Sequence, residues 1–346
     1  MLSKDYLNIV SYIRENPSLS SKNIYDALDT GVAYATLKRM LSQLMADNLI
    51  ISSGKGRGTK YLISPAYELF HTIDVNQYFM QEIDEREIKG GFNLELINGL
   101  LSQVSLFNEA ENKHLMLLQN KYETNTSMLT SAEYSKELER LAIDLSWKSS
   151  QIEGNTYSLL ETERLLREKE TAEGKSKDDA TMLLNHKDAL DFIIANPGYA
   201  SPLTVSGIED IHSLLVKDLG IDRNIRKRKV GISGTNYVPL DNEYQIREAL
   251  KSMCLLVSQK SNIFEKALLS LLLISYIQAF ADGNKRTARI VSNAVLIDHQ
   301  FCPISFRTIN SIDYKKAMLL FYEQNNISAF KDIFIAQFEF AVQTYF

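Results

Sequence analysis

Asp282, Gly283, Asn284, Lys285, Arg286 and Arg289 set one carboxylate, one amide and three cations around a single glycine within eight residues. That grouping suits phosphate. Gly283 permits a positive-φ turn that aims successive amide N–H groups at one point, and the N-terminus of a following helix adds its dipole. The charge-free run Ala267–Ile277 precedes the cluster, and Ile290, Val291, Ala294 and Val295 resume helical spacing after it. The segment is therefore expected to join two buried helices, with an anion stabilised at the junction.

Written out, residues 278–289 are Q-A-F-A-D-G-N-K-R-T-A-R. The segment resembles the Fic-domain signature H-P-F-x-[DE]-G-N-x-R-x-x-R at six of its eight specified positions, Gln278 and Ala279 being the departures. In that family the loop binds ATP and magnesium and transfers AMP to a hydroxyl of a protein target. The resemblance implies that Asp282 holds Mg2+, that Asn284, Lys285, Arg286 and Arg289 bind phosphate beside Gly283, and that Phe280 packs beneath the loop. The chemistry agrees: magnesium favours one or two carboxylates plus phosphate oxygens, and a guanidinium fork grips phosphate in two places.

The departure at Gln278 bears on catalysis. The family His deprotonates the target hydroxyl, whereas an amide takes no proton near neutral pH, so Gln278 cannot be a general base. Such a base contributes roughly 10²- to 10⁴-fold, about 3–5 kcal/mol. Nucleotide binding is expected to survive its loss, and ordinary transfer to be slow or absent. The five histidines (His71, His114, His186, His212 and His299) all lie outside the signature and read as surface or packing residues.

Two further segments carry the same resemblance. Ser149–Gly154 is similar to the family's inhibitory motif, [ST]-x-x-x-E-[GN], in which the Glu pairs with the second signature arginine and displaces the ATP γ-phosphate. Here that implies a Glu153–Arg289 pair, with Ser149 one turn earlier bonding the carboxylate and Gly154 also serving as a helix C-cap. Residues 226–239 alternate around Ser233 and Gly234 and predict a small β-hairpin. It resembles the family's flap, which clamps an extended target by adding a strand, and Arg226, Val230, Gly231, Ile232 and Pro239 are its candidate contacts.

The elements that position these groups are expected to be mostly α. Apolar spacing predicts helices over 94–106, 138–152 (the inhibitory helix, ending at Glu153), 159–166, 182–194, 205–219, 246–257 and 327–345. Residues 92–346 thus form an all-α Fic-like domain, and 66–91 an acidic connector. Residues 1–65 predict three helices with Gly31 in the second turn, then a glycine-rich hairpin. This resembles a winged helix-turn-helix, whose third helix (Thr36, Lys38, Arg39) would face a DNA groove while Lys55, Arg57 and Lys60 on the wing touch phosphates. Eight basic against five acidic side chains give this segment +3, leaving -8 for the rest of a chain that carries -5 overall. Any nucleic-acid surface belongs at the N-terminus, although the same module also serves protein contacts.

Composition excludes other classes. At 45% hydrophobic and 23% charged residues the chain is globular, its uncharged runs are too short to span a bilayer, and its first ten residues hold no signal-peptide core. A cytoplasmic protein without a membrane partner is expected, and a homo-oligomer is allowed. Two cysteines make neither a disulfide framework nor a zinc site. Three activities fit these readings: an ATP- and magnesium-binding regulator coupled to DNA, held in check by Glu153 and impaired by Gln278; an adenylyltransferase using another base; or a phosphodiesterase in which Glu153 activates water. The first is preferred.

Overall fold

In a computed structural model that describes residues 4–28 and 32–346, helices α1 (Lys4–Glu15), α2 (Ser21–Ala27) and α3 (Tyr34–Ala46) precede an antiparallel pair, β1 (Ile50–Ser53) and β2 (Lys60–Ile63). Gly31 and the Arg57 side chain lie outside the described residues. Each helix buries the stripe expected of it: Ile9, Val10 and Ile13 from α1, Ile24 from α2, and Leu37, Met40, Leu41 and Leu44 from α3. The Ser20 side chain accepts from Asn23 N at 3.2 Å and starts α2. The strands pair in the register Ile50 with Ile63 and Ser53 with Lys60, and Leu19, ahead of α2, adds a bridge to Tyr61.

The larger part is helical. Its longer elements are α4 (Glu109–Ser127), α5 (Ser131–Ile152), α6 (Leu159–Glu168), α7 (Lys177–Ala195), α8 (Val205–Leu215), α9 (Glu243–Gln259), α10 (Ile263–Ile277), α11 (Asn284–Asp298), α12 (Ser311–Gln324) and α13 (Ser328–Tyr345). Helix α10 is buried along almost its whole length and packs chiefly against α11 and α9. That explains the charge-free run Ala267–Ile277 within it: a helical stretch apolar on every side belongs inside a protein. Among the described residues, no helix is long and apolar enough to cross a membrane.

Two expectations change, and two helices join the expected set. Residues 230–239 contain no strand, so the flap is not a β-hairpin; the Arg226 side chain, rather than a backbone ladder, ties its two arms by donating to Arg228 O at 2.8 Å and to Leu240 O. The helix expected over 94–106 runs only over 94–103 and carries a π segment at Leu96–Leu100 before its last turn, Leu101–Gln103. The buried Glu265 carboxylate takes Leu106 N and Ser105 Oγ, each at 2.8 Å, and draws the chain out of helical conformation. Helix α4 escaped the apolar pattern because it buries only Leu115, Leu118, Gln119 and Tyr122 on a mainly polar surface. Helix α12 was likewise not anticipated.

Candidate functional site

Two helix ends face each other. Helix α10 stops where Gln278 turns left-handed at φ 52° and its N–H caps Ile274 O; α11 begins after Gly283 at φ 80°. A side chain at 283 would be strained by that φ, and its Cβ would also stand 3.2 Å from His212 Cε1 and 3.3 Å from Val216 Cγ1. Both limits call for glycine. Asn284 closes the intervening loop by accepting from Phe280 N and donating to Phe280 O, each at 2.8 Å. Its amide, expected to meet phosphate, is thus committed to loop shape.

Gln278 is built into the same frame. Its Nε2 donates to Ser275 O at 2.6 Å and lies 3.3 Å from the Tyr322 hydroxyl, while Oε1 accepts from Asn284 Nδ2 at 3.2 Å. An amide can donate and accept at once, which this position uses fully. Phe280 is buried beneath the loop and stacks on His212, ring centroids 3.7 Å apart. The His212 ring meets Thr287 Oγ1 at 3.2 Å and Asp222 O at 3.4 Å, and burial, aided by Arg286, lowers its pKa to about 4 against the pull of the Asp222 carbonyl. It is a neutral support with both nitrogens engaged, not a free base in the pocket.

The cations lie on the first turns of α11. Arg286 and Arg289 are 1% and 0% exposed. Arg286 Nη2 approaches Asp282 Oδ2 at 3.3 Å, leaving Nε and Nη1 buried without a protein partner. Arg289 donates from Nε to Ser149 Oγ at 2.8 Å and from Nη2 to Ser149 O at 3.0 Å and Glu153 Oε1 at 2.8 Å, above the Tyr314 ring; its Nη1 has no partner. Lys285 Nζ lies 3.6 Å from Glu153 Oε2. Ser149 therefore holds the arginine rather than the carboxylate expected, its hydroxyl and carbonyl oxygens both accepting from Arg289.

Helix α5 delivers Glu153. The helix begins with a reciprocal Thr130–Glu133 capping box and ends with Glu153 as its C-cap, where Gly154 turns at φ 102° and Asn155 N returns to Ser150 O at 3.0 Å. Burial alone would raise the Glu153 carboxyl, but Arg289, Lys285 and Arg286 together hold it below the ordinary value. Both oxygens are thus ion-paired and the group is a weak proton acceptor.

The remaining wall is the flap. Arg226 N donates to Ala279 O at 3.0 Å and its Nε to Gln278 O at 2.6 Å, so the flap base is fastened to the loop. Val230, Gly231, Ile232 and Ser233 line a cavity of about 150 Å³ with Glu153, Gln278, Asp282, Gly283, Asn284 and Lys285, while Pro239 is buried behind it. Ligand clefts usually hold roughly 300 Å³ or more, so this space, with Glu153 in its wall, is smaller than a typical ligand cleft. The donor set nevertheless fits an anion: buried guanidinium N–H groups without acceptors cost about 1–3 kcal/mol each or more, and phosphate oxygens would meet them. Asp282 is two-thirds exposed at the rim, and the described residues hold no group of three metal-binding side chains, so a cation would need oxygens from elsewhere.

The residues expected to touch DNA form a separate surface. Lys38 and Arg39 are exposed on α3, with Arg39 reaching Thr36 Oγ1 at 3.3 Å, and Lys55 is exposed with Lys60 half-buried around the β1–β2 turn. Tyr314 and Tyr322, which touch Arg289 and Gln278, were not singled out from the sequence; their spacing on α12 is the signal that could have marked them. Arg86, considered below, carries no local signal at all.

Residues 202–296 match the family model described as the Fic/DOC family. A curated relative, protein adenylyltransferase Fic of Nematostella vectensis, is 29% identical over 172 residues, covering 49% of this chain and 40% of that protein. The chain therefore matches less than half of that relative's length. Among solved structures, Fic-1 of C. elegans (residues 134–508) is similar with a TM-score of 0.60 at 20% identity, over 68% of this chain and 72% of that one. A Fic-domain-containing signaling protein from Bacteroides thetaiotaomicron gives 0.57 at 20% identity, over 66% and 94%. These two likenesses show a shared fold.

The Glu153 pair has a definite pH signature. A carboxyl with a depressed folded pKa stabilises the protein above its unfolded value, near 4.3, and that contribution is lost as pH falls through the folded value. Glu153→Gln should lower stability by about 1.5–3 kcal/mol at neutral pH, the scale of a hydrogen bond to a charged group. Thermal unfolding of both forms should show this gap narrowing as pH falls below the unfolded value towards the depressed folded one. A gap of equal size at pH 7 and pH 3 would contradict the assignment.

Proposed function

We propose that this chain, which carries a Fic-family domain, binds ATP with magnesium at the 278–289 loop, is restrained by Glu153, and is impaired in AMP transfer because Gln278 replaces the family's general base. The observation that carries this reading is the pairing of Glu153 Oε1 with Arg289 Nη2 at 2.8 Å beside guanidinium groups that still lack acceptors. Arg286 and Arg289, with Lys285 and the amides after Gly283, would hold the phosphates, and Asp282 the cation. Magnesium, when bound, would neutralise phosphate charge and orient the scissile bond. Arg226 and residues 230–239 would present the hydroxyl of a protein target.

The alternatives receive less support. Another base finds little support: His212 is beneath the loop with both nitrogens engaged, and His186 is fully buried, with burial and the nearby Arg289 and Arg286 pushing its pKa well down. Glu153 is a poor activator of water, since Arg289 and Lys285 hold it ionised and occupied.

Calorimetry with ATP and magnesium tests the nucleotide site directly. Glu153→Gly should bind about 10- to 100-fold more tightly than the intact chain, the equivalent of releasing a competing pair worth about 1.5–3 kcal/mol. Arg286→Ala in that background should lose most of the binding. With labelled ATP, self-labelling should appear when Gln278→His accompanies Glu153→Gly and stay near background without it, by roughly 10²-fold or more. Equal affinity in the intact and Glu153→Gly chains would remove the inhibitory role.

For the N-terminal unit we infer a winged helix-turn-helix that contacts DNA through Lys38 and Arg39 on α3 and Lys55 and Lys60 beside the wing. Supporting this are the order of three helices and a hairpin, the Leu19–Tyr61 bridge and the local positive charge. Fluorescence anisotropy on duplex DNA across a salt series should give a slope that falls by about 2 when Lys38 and Arg39 both become Ala. No binding at low salt, or an unchanged slope, would leave protein contact as the role of this unit.

A further inference from the structure

The segment between the N-terminal unit and α4 holds a buried charge that the nucleotide site does not use. Arg86 has a side chain only 3% exposed, and it faces Glu323, which is 0% exposed, at 3.3 Å. Its other terminal nitrogen, Nη2, donates to Gly234 O at 2.7 Å, at the tip of the flap. Phe79 lies against the guanidinium, 4.9 Å from ring centroid to Cζ, and Glu323 also accepts the Tyr78 hydroxyl at 2.7 Å. A buried arginine is tolerated only when paired, and Glu323 supplies the pair.

The neighbouring residues reinforce that grip. Asp84 Oδ1 accepts from Asn236 Nδ2 at 2.9 Å, and Phe92 N donates to Val238 O at 3.2 Å. A Cβ at Gly91 would stand 3.0 Å from Val238 O, so the two segments run in close contact. Residues 84–92 thus fasten the far arm of the flap, 234–238, at three points. The near arm, 230–233, walls the phosphate cavity and has no strand partner among the described residues.

We propose that Arg86 is a positioning residue for the flap: by fixing Gly234 it sets where residues 230–233 stand over the 278–289 loop, with Arg226 fixing the other end. The inference rests on the flap's proposed role in presenting a target. The same contacts join the flap to the N-terminal unit. Lys89 N donates to Glu323 O at 2.8 Å, Lys89 Nζ meets Glu68 at 2.9 Å, and Glu68 lies 3.7 Å from Arg14 on α1. A load on the N-terminal unit therefore has a continuous set of contacts through which to reach the flap tip.

A purely structural ion pair and a positioning role predict different outcomes for Arg86→Lys. Lysine keeps the charge opposite Glu323, but a single ammonium cannot reproduce the guanidinium fork that spans Glu323 and Gly234. Amide hydrogen exchange without nucleotide should show residues 230–238 exchanging about tenfold faster, with α10 and α11 amides unchanged. The unfolding temperature should shift by less than about 2 °C. Unchanged flap exchange, or a rise spread evenly over flap and core with a matching fall in unfolding temperature, would overturn the proposal. Should Arg86→Lys fail to fold, Asp84→Ala removes a tie from an exposed site and should give a smaller rise confined to 230–238; no rise there rejects the idea. Because no nucleotide is present, failure of ATP to bind in the calorimetric test would sink the functional reading without touching this result.

Discussion

Arg289 is fully buried yet charged, and a buried guanidinium must be neutralised where it lies. The Glu153 carboxylate neutralises it here, while the Ser149 hydroxyl and carbonyl accept two more of its hydrogen bonds. The two Ser149 groups are fixed parts of α5, while the carboxylate belongs to a helix-capping residue whose side chain remains a fifth exposed. Glu153 is thus the exchangeable member. An anion that takes the Arg289 Nη2 position must displace it, whereas Nη1 has no protein partner, and the same carboxylate also occupies Lys285. The proposed restraint of the site and the neutralisation of its cations would be one interaction.

The loop that carries these cations keeps its shape without a proton-transfer group. Gln278, Asn284 and the backbone of Phe280 form a closed set of hydrogen bonds, and Gly283 turns where no side chain fits. Binding and chemistry are therefore separable at the level of residues. The left-handed turn at Gln278 ends α10, the amide holds Ser275 and Asn284, and neither function needs an imidazole. A loop of this kind can retain affinity for phosphate while lacking the group that would deprotonate an acceptor.

Much of this arrangement was legible in local sequence because its determinants are local. The glycine turn, the clustered cations and the charge-free run before them lie within one stretch of chain, and the end of α5 at Glu153 follows from apolar spacing and Gly154. What escaped was set by distant partners. Alternation over 226–239 suggested paired strands, but Arg226 ties the arms with its side chain, and periodicity records only which residues alternate. Ser149 was expected to serve Glu153, yet Arg289, 140 positions away, takes its hydroxyl. Arg86 reads only as one member of the acidic connector because its partners, Gly234 and Glu323, are remote in sequence.

The central claim is that Glu153 stands where a phosphate would stand. A crystal structure of the Glu153→Gly chain grown with ATP and magnesium tests it at atomic level. The account predicts phosphate oxygens bonded to Arg289 and to the free Arg286 nitrogens, with Gln278 still bonded to Asn284. A nucleotide found elsewhere, or Arg289 swung away to a new protein acceptor with the loop unliganded, would contradict it.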